Sequence, residues 1–340
     1  MAVLLLTDPR CVEHDTGPHH PERPARMGAA LDGIDDHGLR EALVVVEPER
    51  ASRDDLLVVH RAELVDRLEA ICRGGGGHLD PDTLTVPASW DAALLAAGAG
   101  LTAAEALRSG AGDAAFCVVR PPGHHATRDV AMGFCLLNNV AVLAANLADR
   151  GERVLIADFD AHHGNGTQDV FYDDPRVLFV SWHQWPLYPG TGRVEEIGEG
   201  PGEGTTINIP MPPGATAEHY RRTLDEVVRP AIEAFAPTWL LVSAGFDGHR
   251  DDPLASLGLT SGDFADLTRE LLESVPAGRT VVFLEGGYDL GAVARSTAAT
   301  IGSLLGEDVR PERASAGGPG EVHATRLRQF HERNGILARG

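Results

Sequence analysis

The chain contains no lysine: all 29 of its basic residues are arginine. That skew reads as codon bias, and no mechanism follows from it. Cysteine is also sparse. Cys11, Cys72, Cys117 and Cys135 include no C-x-x-C pair, which excludes a cysteine-built zinc site and predicts buried thiols in a reducing compartment. Long apolar runs are missing too. Val3 to Leu6 is far shorter than a signal-peptide core or a membrane span, so the expectation is a soluble cytoplasmic protein with no membrane partner. Positive charge is scarce: 29 basic against 50 acidic residues give a formal charge of −21. Phosphate binding needs clustered basic side chains to release counterions, so nucleic acid is not expected as a ligand. The acidic field favours cationic partners such as polyamines or basic peptide tails, although a low pI serves solubility equally well.

At 340 residues and 43% hydrophobic composition, the chain can bury a large core in one big domain or two ordinary ones. Short runs rich in Val, Leu and Ile alternate with segments of helical period, the pattern of a parallel sheet covered by helices on both faces. Strands are expected at Ala115 to Val119, Val154 to Ala157, Val177 to Val180, Trp239 to Val242 and Thr280 to Leu284. Helices are expected at Trp90 to Leu107, Val140 to Asp149, Ala217 to Phe235 and Ser261 to Ser274. A single doubly wound α/β domain is the economical reading, with a body over 1–313 and a tail over 314–340 that is a docked or frayed helix. No internal repeat is present, and Gly74 to Gly77 reads as a mobile loop.

Four of these strands run, at their carboxyl ends, into polar residues that a connecting loop does not need. They are Arg120 to His125, Asp158 to Gly166, Ser243 to Asp247, and Glu285 to Tyr288. Ligands of open α/β sheets bind beyond the carboxyl ends of the strands, so these clusters should converge. Asp158, Asp160 and His162 alternate and share one side of an extended chain, where two of them can grip a metal. Asp247 completes an Asp, His, Asp set, which leaves one position open for water as a catalytic zinc site does. Bound zinc would make that water acidic and polarise a carbonyl. A single Asp at a strand end is usually a helix cap; the case rests on the whole set. His124 and His125 follow a Pro-Pro-Gly turn and can relay protons, with Asp158 as partner of one ring and Asn165 of the other. Tyr288 sits where a phenol can donate to a developing oxyanion. Phe134 and Tyr188 are candidates for the walls of an apolar passage.

With these residues in place, the sequence resembles the histone deacetylase and acetylpolyamine amidohydrolase family, in particular its class II-like bacterial branch. The matching stretches are HPERPAR (20–26), RPPGHHA (120–126), MGFCLLNNVA (132–141), DFDAHHGNGTQ (158–168), YPGTG (188–192), SAGFD (243–247), DDPL (251–254) and EGGYD (285–289). The resemblance implies the arginase/deacetylase-type fold, one zinc ion on Asp160, His162 and Asp247, and His125 as general base and acid beside His124. It implies that Asp158 orients His124 and joins Ser181 and the carbonyls of Asp160, His162 and Trp182 in a structural potassium site. Tyr288 would polarise the acetyl carbonyl, Gly133, Phe134 and Tyr188 would form the acyl-lysine tunnel, and Arg26 would end an internal cavity. Asn165 stands where other branches carry Asp. Leu254 stands where a polyamine-selective relative carries an acidic gatekeeper, which favours an acyl-lysine over an acylpolyamine. The implied activity is deacetylation of an acylated amine. The competing readings are an acetylpolyamine amidohydrolase, a two-manganese ureohydrolase and a non-catalytic acyl-amine binding module. Self-association into a homo-oligomer is left open.

Overall fold

The computed structural model describes residues 1–319 and 321–334. Its strands are β1 (Val3–Leu6), β2 (Leu43–Val46), β3 (Gly77–His78), β4 (Leu84–Thr85), β5 (Ala114–Cys117), β6 (Val154–Asp158), β7 (Val177–Gln184), β8 (Thr206–Met211), β9 (Trp239–Ala244) and β10 (Thr280–Leu284). Its α-helices are α1 (Ala25–Asp36), α2 (Arg53–Leu57), α3 (Ala62–Arg73), α4 (Ser89–Arg108), α5 (Asn139–Asp149), α6 (Asn165–Phe171), α7 (Ala217–Thr223), α8 (Arg229–Phe235), α9 (Ser261–Leu272), α10 (Leu290–Leu305) and α11 (Glu321–Arg333). Eight strands form one sheet in the order β2-β1-β5-β10-β9-β6-β7-β8, and every neighbouring pair in it is parallel. β3 and β4 form a separate antiparallel pair.

The central strands are predominantly apolar because both faces are covered: every residue of β5, β6, β9 and β10 is buried. Parallel strands need crossover connections, and helices supply them. α1, α9 and α10 pack together as one layer, and α4 packs on α5 in another. β5, β10, β9 and β6 are consecutive in the sheet, so the four polar loops at their carboxyl ends emerge side by side. The expected single α/β domain with a mostly parallel sheet is thus the observed architecture.

Three elements differ from expectation, the first being β7, which runs to Gln184, four residues past Val180. The helix expected over Ala217 to Phe235 is interrupted by a π-helical turn, Leu224–Val228, between α7 and α8. Pro230 stands at the start of α8; it has no N–H to give and its ring crowds the preceding turn, so the ladder widens there. The strand expected to reach Val119 ends at Cys117, where the chain turns toward the site. In the tail, α11 packs on α7 and the π turn, with Ala324 and Leu327 buried and Arg222 Nη2 donating to Thr325 Oγ1 at 3.1 Å. Gly320 and 335–340 of the expected tail segment lie outside the described residues.

Candidate catalytic centre

β6 ends at Asp158 and the chain bends through 160–162, so the three alternating polar residues divide between two tasks instead of sharing one side. Asp160 and His162 face Asp247 from the end of β9: His162 Nδ1 lies 3.1 Å from Asp160 Oδ1 and 2.9 Å from Asp247 Oδ2. The donor atoms of the trio all lie within 4.8 Å of one another, and the three residues are buried. Asp158 turns the other way and accepts from His124 Nδ1 at 3.0 Å. Backbone donors fix the carboxylates: Ala161 N–H donates to Asp247 Oδ1 at 2.7 Å, and Gly286 N–H to Asp160 Oδ2 at 2.8 Å. Only glycine fits at position 286, because a Cβ there would lie 2.3 Å from Asp247 Oδ2 and 2.5 Å from Asp160 Oδ2.

The trio suits a cation. Ligands of a tetrahedral zinc with bonds of roughly 2.0–2.1 Å stand roughly 3.3 Å apart, close to the spacings seen here. Burial works against a charge on His162, yet the flanking Asp247 and Asp160 carboxylates push its imidazole up to about 10. Two buried carboxylates facing one another therefore call for positive charge between them. Oxygen, nitrogen and oxygen donors match zinc, and three ligands leave one position for water.

The tandem imidazoles sit beside this trio with ring centroids 4.0 Å apart. His125 Nδ1 donates to Asn165 Oδ1 at 2.8 Å, which leaves Nε2 as the free acceptor. Burial lowers the basicity of both rings, but the Asp160 and Asp158 carboxylates reverse this at His124 and raise it well above the ordinary value. At His125 burial and the positive charges of His124 and His162 act together and hold it well below. The His-His turn is itself pinned by Glu285, whose Oε2 accepts from Gly123 N–H at 2.7 Å and His124 N–H at 3.2 Å.

A cavity of about 270 Å³ leads to these groups, lined by His125, His162, Gly133, Phe134, Tyr188, Leu254 and Tyr288, with Asp82 and Pro21 also on its wall. Phe134 is a non-glycine residue at φ +67° and follows Gly133 at φ +57°; such a turn is strained and must be held by its surroundings. Thr83 Oγ1 does so by accepting Phe134 N–H at 3.1 Å. The Tyr188 ring stands edge-on to His125 with centroids 5.2 Å apart. A larger groove, about 970 Å³, reaches Asn165 from outside but is lined by no member of the metal trio.

Ser181 is buried and is the cross-strand partner of Asp158; its Oγ pairs with His183 Nδ1 at 2.9 Å. Arg26 is fully buried and donates to Glu22 and to the carbonyls of Glu285 and Gly287, with its guanidinium 5.1 Å from the Tyr288 ring centroid. Glu22 also binds Arg120, so one buried carboxylate joins the Tyr288 loop to the strand that leads into His124. Sequence reasoning gave no role to Glu22, Thr83, Asp252 or Glu285. For Glu22, Asp252 and Glu285 the only available signal was their place within the matching motifs, and Thr83 had none, because their partners are mainly backbone groups and arginines. All four cysteines are free and buried, as expected.

Clustered carboxylates and imidazoles with a phenol at the carboxyl ends of parallel strands are an arrangement suited to hydrolysis in an α/β enzyme. Residues 20–304 match the histone deacetylase domain, and the chain belongs to the histone deacetylase family, whose members are hydrolases of amide bonds. It is 44% identical to a "Probable deacetylase" of Archaeoglobus fulgidus, over 88% of this chain and 85% of that one. It is 37% identical to the "Histone deacetylase-like amidohydrolase" of Pseudomonas aeruginosa, over 88% and 85%. Among solved structures, the HDA15 HD domain superposes with a TM-score of 0.89 at 34% identity, covering 98% of this chain and 94% of that one.

Proposed function

We propose that the chain removes the acetyl group from an N-acetyl-lysine-type amine with one zinc ion on Asp160, His162 and Asp247. The observation that carries this reading is that one cavity is lined by His162 of the trio, by His125 and by Tyr288. Bound zinc would supply Lewis acidity, making a water nucleophilic near neutral pH and polarising the scissile carbonyl. His125 Nε2 takes the proton of the attacking water and returns one to the leaving amine; its low basicity keeps the ring neutral and ready to accept. His124, held charged by Asp158 and Asp160, provides the nearby positive field. Asn165 orients His125 without adding charge, so it raises that ring's basicity less than a carboxylate would. Burial and the Asp247 charge keep the Tyr288 phenol protonated, able to donate to the oxyanion. Gly133, Phe134 and Tyr188 enclose the acyl-lysine stem, and Leu254 forms a neutral wall of the cavity. Asp158 and Ser181, with the carbonyls of Asp160, His162 and Trp182, are assigned to a structural potassium ion, a reading supported by the cross-strand pairing of the two side chains. Four free, buried thiols suit a cytoplasmic location.

The second reading, acetylpolyamine hydrolysis, is favoured by Asp82, a carboxylate on the cavity wall that suits a second ammonium. Acetate release from an acetyl-lysine peptide and from acetylspermidine separates the two, measured with zinc-loaded wild type and His125→Ala. Cleavage of the peptide by wild type alone supports the first reading. Preference for acetylspermidine moves the protein to the second, and release by neither contradicts both.

A further inference from the structure

The connection between β9 and α9 carries two adjacent acidic residues with opposite fates. Asp251 is exposed and pairs with Arg295 at 2.9 Å. Asp252 is buried, with 6% of its surface exposed, and among the described residues no basic side chain pairs with it. A buried carboxylate without a counter-charge is costly unless hydrogen bonds compensate. Here the donors are all backbone N–H groups, and they come from two different loops. Asp252 Oδ1 accepts from Leu254 at 2.9 Å, within its own loop. Asp252 Oδ2 accepts from Tyr288 at 2.6 Å and Asp289 at 3.3 Å, in the loop after β10. Leu254 and Tyr288 line the same cavity, so one carboxylate fastens two of its walls together.

The Tyr288 side chain has few other restraints. Among the described residues no hydrogen bond holds its phenol oxygen, and its ring meets Phe134 edge-on at 5.8 Å and the Arg26 guanidinium at 5.1 Å. The place of the hydroxyl therefore depends on where its backbone is held. An oxyanion donor must stand within hydrogen-bond range of the position the charge will occupy, and a small displacement forfeits most of its effect. We propose that Asp252 is a positioning residue that sets Tyr288 against the scissile carbonyl and ties that placement to the cavity wall at Leu254. This inference rests on the oxyanion role given to Tyr288 above. A carboxylate is needed because both oxygens accept. The amide of Asn has a single acceptor oxygen and would turn an N–H donor toward one of the two loops.

The test is a double-mutant cycle on the zinc-loaded, full-length protein. Asp252→Asn alone should lower kcat about 10–100-fold with KM changed less than about 3-fold and zinc content unchanged, the pattern of a lost transition-state contact. In a Tyr288→Phe background the same substitution should cost less than about 3-fold, since the group it positions is gone. Equal losses in both backgrounds would overturn the proposal, as would a change confined to KM. A second measurement needs no turnover: hydrogen exchange in Asp252→Asn should accelerate at 252–256 and 285–290 while 158–163 stay protected. Exchange that rises everywhere or nowhere would overturn the clamp. If the wild type is inert on acylated amines, the functional reading fails, and the exchange measurement still decides whether Asp252 ties the two loops.

Discussion

Tyr288 opens on the cavity with its proton retained, because burial and the neighbouring Asp247 carboxylate oppose a phenolate more than Arg26 favours one. A neutral phenol donates a hydrogen bond, and that donation is its whole contribution to the proposed reaction. Tyr288→Phe should therefore keep a full equivalent of zinc yet lose about 2.7–4 kcal/mol of transition-state stabilisation, the usual cost of one oxyanion donor. Metal analysis and steady-state kinetics on the same preparation check this, and unchanged kcat would remove Tyr288 from the mechanism. At this scale much of the site is legible in the sequence. Asp160, His162, Asp247, His124, His125 and Tyr288 are polar residues that strand ends do not need. Spacing alone does not give the division of labour, which the family resemblance implies; the fold places Asp158 on His124 while Asp160 and His162 face Asp247. Glu285 and Asp252 are invisible for a related reason, since a carboxylate that accepts backbone N–H groups leaves no recognisable pair of side chains in the sequence.

Among the elements, most strands buried on both faces are legible, the short β1 being a buried exception, and those less covered escape notice. β6 and β10 read as strands because every residue in them is covered. β2 lies at the sheet edge with Val44 and Val45 exposed, and β8 mixes Thr and Asn into its run, so neither gives a clean signal. The joint between α10 and α11 is equally hidden, although it bears on stability. Glu312 bridges to His249 Nε2 at 2.6 Å and to Arg250 at 2.7 Å, and it accepts from Ser261 N–H at the start of α9. Burial alone would raise this carboxyl, but the His249 and Ser261 hydrogen bonds and the nearby charges hold it at about 2, below its ordinary 4.5. A depressed carboxylate contributes stability that is fully present above the ordinary value and lost as pH falls through the folded one. Glu312 should thus contribute at most about 3 kcal/mol above pH 4.5, fading between about pH 4.5 and pH 2. Thermal melts of wild type and Glu312→Gln should differ at pH 6 and converge toward pH 2; a constant difference would mean that the ionised form is not what matters.

Over the whole molecule, a net charge of −21 surrounds a cavity whose wall includes Asp82. Such a field raises the local concentration of cationic substrates and is screened by salt within about 8–10 Å at ordinary ionic strength. Acetyl-lysine flanked by arginines should show a KM about 3–10-fold lower than the same residue flanked by glutamates, and the gap should close in about 1 M salt. A salt-independent gap would assign the preference to direct contacts. The fold positions all of this: four adjacent parallel strands deliver Asp160, His162 and Asp247, the paired imidazoles and the phenol to one end of the sheet. We propose that a single zinc ion on Asp160, His162 and Asp247 makes this end of the sheet hydrolytic. The most direct test is titration of metal-stripped protein with zinc while following acetate release. Activity should be absent without metal and rise linearly to a plateau at one equivalent. Full activity in the stripped protein, or a plateau only at two equivalents, would contradict it.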